Sequence, residues 1–196
     1  MMENGILLLV SILIATCSGC VFTERIVTTI ADGARGVFVT DVDGDGDVDA
    51  LSASAYDDTI AWYENDGSQS FTERVITTLA DIARSVFAID VDGDGDVDAL
   101  SASGSDDTVA WYENDCDAHA ASAAPTPRPT VFCASVSFSE RVVTDSADGA
   151  SSVFALDVDG DGDFDVLSAS YNDCLLYTSD AADEGLGVDL GGRRII

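Results

Sequence analysis

One nine-residue pattern constrains the fold of this chain more than any other feature of its sequence. Residues 41–49 read DVDGDGDVD, the same letters return at residues 90–98, and residues 157–165 differ only by Phe164. Five aspartates in one compact loop repel one another strongly unless a cation lies among them. The pattern therefore predicts three metal-binding loops, and a solvated acidic turn is the alternative.

The aspartates of each loop follow the first half of an EF-hand-type calcium loop. Carboxylates stand at positions 1, 3, 5 and 9, and a glycine at position 6 makes the sharp turn. Calcium suits this pattern better than magnesium, because it accepts roughly 6–8 oxygen ligands in flexible geometry whereas magnesium keeps much of its water. We therefore predict about three Ca²⁺ ions. The predicted side-chain ligands are Asp41, Asp43, Asp45 and Asp49 in the first loop, Asp90, Asp92, Asp94 and Asp98 in the second, and Asp157, Asp159, Asp161 and Asp165 in the third.

The three loops lie in three copies of a longer repeat. Phe71 opens a second copy of the stretch that begins FTER at Phe22, and a third copy begins at Phe138. The repeats span residues 21–69, 70–114 and 137–173, and a stretch rich in Ala, Pro and Ser fills residues 115–136. This insertion is either a real loop or retained intron sequence that has been translated. Cys116 and Cys133 near its ends are either joined in a disulfide or free.

Four β-type runs recur in one repeat, and short turns rich in Asp, Gly and Asn separate them. In the second repeat they are Phe71–Thr78, Ser85–Asp90, Ala99–Ser103 and Thr108–Glu113. Small or apolar residues on both strand faces indicate sheets that are buried on both sides. Four strands in about 45–50 residues are typical of a β-propeller blade. We predict an all-β partial propeller of about three four-stranded blades, open because closed rings need ~4–8 blades.

The DxDGDGxxD loops, lying between strands in repeats of this length, resemble FG-GAP/VCBS repeats, the family that includes the β-propeller of the integrin α subunit. The resemblance covers about residues 22–173, although DGARGVF, DIARSVF and DGASSVF stand where the name motif belongs. It implies that each loop joins two strands of one blade and binds calcium. It also implies that the main-chain carbonyls at loop position 7 are ligands. These belong to Asp47, Asp96 and Asp163.

The two ends of the chain read differently from the repeats. Residues 1–20 resemble a secretory signal peptide, because the short apolar stretch Ile6–Ala15 is followed by small residues. An uncleaved anchor or a wrongly assigned start are the alternatives. Residues 174–196 resemble the translated ends of a sequencing adapter. We therefore expect a secreted or cell-surface protein with no membrane span after signal cleavage. We also expect a tail that has no partner-strand chemistry and is poorly ordered or only loosely docked.

Several other residues are candidates for chemistry. The pairs Trp62-Tyr63 and Trp111-Tyr112 either stack on sugars or pack between blades, and their recurrence in each complete repeat favours packing. Two aspartate pairs are also candidates, because a pair of carboxylates can hydrolyse glycosides. They are Asp57-Asp58 and Asp106-Asp107. Their repetition at blade spacing indicates turn residues instead. The single histidine, His119, lies in the insertion without sequence partners for a triad or a zinc site. We therefore predict that the chain is not an enzyme.

The charge of the chain limits its partners. It carries 37 acidic residues against 8 Lys and Arg, a formal net charge of −29. Nucleic acid is excluded as a partner, because phosphate binding needs clustered cations. We predict a structural or recognition and adhesion module for an extracellular protein or polysaccharide, completed by missing blades of a longer protein. The alternatives are a non-catalytic accessory propeller of a larger extracellular enzyme, and an open reading frame without a functional product.

Overall fold

The computed structural model describes residues 23–118, 133–172 and 176–180, and these residues form eleven β-strands in three antiparallel sheets. The first sheet contains β1 (Ala34–Thr40), β2 (Asp49–Ser54), β3 (Thr59–Asn65) and β4 (Phe71–Thr77). The second contains β5 (Ala83–Ile89), β6 (Asp98–Ser103), β7 (Thr108–Ala118) and β8 (Cys133–Thr144). The third contains β9 (Ala150–Leu156), β10 (Asp165–Ser170) and β11 (Leu176–Asp180). Strands adjacent in sequence pair in each sheet, and the sheets form an open partial propeller, as predicted.

The sheets and the sequence repeats are out of phase by one strand. The run FTERVIT, which opens the second repeat, is β4, and it pairs with β3 so that Trp62 lies opposite Arg74. The matching run at the start of the first repeat forms no strand in its described part, beyond a single bridge at Ile26. In the described part of the chain no strand like β3 precedes it. The expectation that one repeat makes one complete sheet is therefore corrected.

Apolar residues between neighbouring sheets form the core. Trp62 packs in the layer between the first and second sheets, and Tyr112 enters the same layer from the second sheet. Tyr63 packs on the outer side of the first sheet, and Trp111 lies between the second and third. No ring of the four is more than 8% exposed. The packing interpretation is confirmed, because buried rings cannot stack on sugars.

The structure also reaches into the insertion and the tail. Strands β7 and β8 continue pairing into the insertion, where Cys116 lies opposite Val136 and Ala118 opposite Cys133. The cysteine side chains, and His119, lie outside what the structure describes, so the disulfide stays a prediction. Strand β11 pairs with β10, so the expected absence of partner-strand chemistry in the tail is wrong for Leu176–Asp180. An edge strand offers unpaired backbone groups to any extended segment, whatever its side chains.

The predicted Asp-Asp turns connect neighbouring sheets. The Asp58 carbonyl accepts a hydrogen bond from Ala80 N at 3.1 Å, and the Asp107 carbonyl accepts one from Ala147 N at 2.9 Å. Their carboxylates accept further bonds, from Ile82 N at 2.9 Å and from Gly149 N at 2.8 Å. These aspartates are therefore turn residues that fix the start of the next sheet, as their repetition predicted.

Glycine at the entrance to β1 fits both the left-handed backbone and the limited space there. Gly33 has a φ of 69°, and a Cβ there would come within 2.7 Å of the Tyr56 ring. The second repeat instead places Ile82, with a φ of 53°, at the equivalent position. Ser105 replaces the tyrosine in that repeat, and the smaller side chain leaves room for isoleucine.

We expect Gly33→Ala to destabilise the fold by about 1–3 kcal/mol, from left-handed strain and overlap with Tyr56. In a Tyr56→Ser background only the backbone strain remains. The loss of unfolding free energy caused by Gly33→Ala should therefore be smaller by about 0.5 kcal/mol or more. Urea unfolding of the two single variants and the double variant measures this difference. An equal cost in both backgrounds contradicts the steric part of the explanation.

Candidate metal centre

Each aspartate loop joins the first two strands of its sheet. The first connects β1 to β2, whose ends pair at Thr40 and Asp49. The second and third make the same connection between β5 and β6 and between β9 and β10. All three loops therefore lie at the same end of their sheets, between two strands of one blade.

Each loop brings three carboxylates to one point. In every cluster, one oxygen from each residue lies within 4.8 Å of the others. The clusters are Asp41, Asp43 and Asp45; Asp90, Asp92 and Asp94; and Asp157, Asp159 and Asp165. Of the predicted side-chain ligands, Asp49, Asp98 and Asp161 lie outside these groups. The Asp47 carboxylate lies against Gly67, so its main chain remains the group predicted to face the ion.

Backbone hydrogen bonds fold the loop around its carboxylates. In the first loop Asp41 Oδ2 accepts a bond from Gly46 N at 2.9 Å, and Asp43 Oδ1 accepts one from Asp45 N at 3.2 Å. Gly46 has a φ of 97°, which residues with a Cβ rarely adopt. In the second loop the same bond joins Gly95 N to Asp90 Oδ2 at 3.0 Å. The glycines therefore allow the sharp turn that points the carboxylates inward.

The position-9 aspartates bind the protein backbone with both oxygens. Asp49 Oδ2 accepts from Val42 N at 3.0 Å, and Asp49 Oδ1 accepts from Asn65 N at 2.8 Å. Asp98 makes the equivalent bonds with Val91 N at 2.9 Å and Asn114 N at 2.7 Å. Each carboxylate thus joins the start of its loop to the third strand of its sheet. Metal binding by these two residues stays a prediction.

Asn65 and Asn114 are functional candidates that the sequence analysis missed. The side-chain amide of Asn65 donates to the Val48 carbonyl at 3.0 Å, and that of Asn114 donates to the Val97 carbonyl at 3.0 Å. Asn114 Nδ2 also lies 3.5 Å from the Val42 carbonyl, in the loop of the neighbouring sheet. Their recurrence after Trp-Tyr-Glu was the signal that could have found them.

The third loop differs because the repeat is interrupted before the corresponding asparagine. Asp165 Oδ2 accepts from Val158 N at 2.8 Å, like the other position-9 residues. In the described part of the chain no asparagine bond to Asp165 matches those to Asp49 and Asp98. Asp165 is only partly buried, and it joins the carboxylate cluster of its loop.

Two features of the first loop fit a bound cation. Asp41 Oδ1 is buried and accepts no hydrogen bond, so an acceptor is left without a donor. Burial raises the pKa of Asp43 to about 6, a bond from the Asp45 amide opposes this rise, and the neighbouring carboxylates of Asp45, Asp49 and Asp41 add to it. A divalent ion would coordinate the orphan oxygen and offset the repulsion.

Burial also raises the pKa of aspartates in the second loop and at position 9. Burial raises the pKa of Asp92, and it raises that of Asp98 to about 7 although two backbone amides oppose the rise. The pKa of Asp49 is raised by burial too, against bonds from Asn65 and Val42. The Trp62 indole lies close enough to Asp49 to lower that pKa, but its Nε1 falls outside ordinary hydrogen-bond geometry.

Comparison with known families agrees with this arrangement. A family model described as an FG-GAP-like repeat matches residues 41–101 and residues 90–168. The matches include all three loops and most of the strands between them. No curated protein matches the chain.

We expect Asn114→Ala to destabilise the fold by about 1–3 kcal/mol, because the partly buried Val97 carbonyl loses the donor that the buried Asn114 side chain supplies. Asn172→Ala is the matched control, since its amide makes one exposed bond, to Asp148 Oδ1 at 2.8 Å. The control should change stability by less than about 0.5 kcal/mol. Chemical denaturation measures both, and equal losses contradict a supporting role for Asn114.

Proposed function

The chain belongs to the FG-GAP-like repeat family, and we propose that it is a secreted or cell-surface β-propeller module that binds calcium in its three loops. The observation that carries the proposal is the convergence of three carboxylates within 4.8 Å in every loop. Calcium is favoured because hard anionic oxygens in a flexible loop suit a large divalent cation. Its function is structural or recognition and adhesion, without catalysis.

Calcium would act on the loop between the first two strands of each blade. In the first loop Asp41, Asp43 and Asp45 would hold the ion, which supplies positive charge among mutually repelling carboxylates. The chain's own backbone already orients these side chains through the bonds from Asp45 N and Gly46 N. A ligand that binds only the folded state stabilises that state by mass action. Calcium would therefore make the hairpin formed by the first two strands of each sheet more rigid.

An extracellular location is supported by the family and by the N-terminal sequence. FG-GAP repeats are typical of extracellular proteins. The signal-like residues 1–20 lie outside the described part of the chain. Across the described ranges, no helix has the length and apolar character needed to cross a membrane.

The rigidity and charge of the module support a recognition role. Buried sheets hold three acidic loops at one end of the blades, where bound calcium could present open coordination positions to carboxylates or sugar hydroxyls. An extracellular protein or polysaccharide offers these groups, whereas nucleic acid meets a net charge of −29. Further blades of a longer protein are additional partners.

Isothermal titration tests the calcium sites one loop at a time. We expect about three calcium ions for the unmodified chain and one fewer for Asp92→Ala, because the loop loses its position-3 carboxylate. Asp145→Ala is the control, since it removes an exposed aspartate outside the loops. Unchanged stoichiometry in Asp92→Ala, with normal folding by circular dichroism, contradicts the assignment.

A further inference from the structure

The two outermost sheets expose the same surfaces that the inner interfaces bury. We call the face of a sheet toward the preceding sheet its leading face, and the opposite face its trailing face. Val86 and Ala88 of β5 lie on the leading face of the second sheet, and each is 5% exposed. Val153 and Ala155 of β9 hold the same places in the third sheet, at 4% and 3%.

The first sheet has no described neighbour over the corresponding strand. Val37 and Val39 of β1 occupy the leading-face positions there, and they are 46% and 47% exposed. Val27 and Phe71 pack against Tyr63 farther out on this face.

Within the described ranges, no sheet covers the trailing face of the third sheet either. Phe154 and Leu156 of β9 are 49% and 50% exposed. Leu100 and Ala102, on the trailing face of β6, are fully buried, whereas their counterparts on β10 are not. The chain therefore exposes one leading face and one trailing face. Faces of these two kinds already pack against each other at both inner interfaces.

The inner interfaces show what this fit consists of. Phe38, Phe87 and Phe154 form one column, with ring centroids 4.8 Å and 4.6 Å apart. A Cβ on Gly36 would come within 3.0 Å of the Ser85 backbone, so β1 and β5 approach closely. Ser85 Oγ accepts a hydrogen bond from Val153 N at 3.3 Å across the next interface.

We propose that the trailing face of one copy of this chain binds the leading face of a second copy, head to tail. The occupant is a second copy because β1 already has the sequence pattern that the trailing face accepts from β5 and β9. Phe154 of one copy would extend the aromatic column to Phe38 of the next, and Ser152 would take the role of Ser85. The two surfaces differ, so the contact is heterologous, and two copies would bring six sheets together. Closed propellers contain ~4–8 blades.

Charged substitutions on one face at a time test this arrangement in the full 196-residue chain. Val37→Asp leaves the trailing face intact, and Phe154→Asp leaves the leading face intact. Val142→Asp is the matched control. Val142 is 59% exposed, and its counterpart Val75 is 54% exposed although a following sheet is present, so neighbouring sheets do not cover this position.

Analytical ultracentrifugation over a range of protein concentrations gives the readout, at roughly physiological salt and with calcium. We expect the unmodified chain and Val142→Asp to associate, and Val37→Asp and Phe154→Asp each to remain monomeric. An equimolar mixture of the two monomeric variants should form a 1:1 dimer that grows no further, since only one intact pair of faces remains.

A monomeric unmodified chain would overturn the proposal, and so would a mixture that stays monomeric. Association of either face variant as strong as that of the control would overturn it too. Should an aspartate variant fail to fold by circular dichroism, Val37→Thr and Phe154→Ser replace it. These milder changes should weaken association about tenfold, and unchanged association contradicts the proposal.

Discussion

The buried carboxylates of Asp49 and Asp98 are the contacts on which both loop and sheet depend. Each accepts one backbone bond from the start of its loop and one from an asparagine of the third strand in its sheet. A single side chain therefore fixes the loop against two strands at once. Burial of these groups raises their pKa, and the backbone donors partly offset that cost. With the loop closed in this way, the first three aspartates face a common point and can hold a cation.

Stacking of the sheets gives the loops their common direction. Small residues such as Ala53 and Ala102 let neighbouring sheets approach, and large side chains from both sides fill the layer between them. The Asp58 and Asp107 turns then bond to the start of the following sheet, at the end of the blade opposite the loops. Asn114 also reaches toward the Val42 carbonyl of the neighbouring loop. The loops are thus parts of one framework, although each forms between two strands.

Repetition explains how much of this could be predicted from the sequence. The aspartate spacing, the four β-type runs and the Trp-Tyr pairs recur together, so their structural roles follow from a single repeated unit. The assignment of β4 to the first sheet could not be predicted, because pairing is non-local and a repeat has no marked beginning. Asn65 was missed because its main role is to donate its backbone N–H to Asp49, which residue type hardly indicates. The pairing of β11 was missed because backbone hydrogen bonding on an open edge needs little side-chain information.

Scanning calorimetry of the full chain in calcium, in magnesium and in a chelator tests most directly whether the loops bind calcium in the folded state. The melting temperature should rise steadily with free calcium, because each site contributes about 2.7 kcal/mol at a hundredfold excess over its dissociation constant. Magnesium at equal concentration should give a smaller rise, since it keeps its water and demands stricter geometry. Identical melting curves in calcium and in chelator would contradict calcium binding by the folded loops.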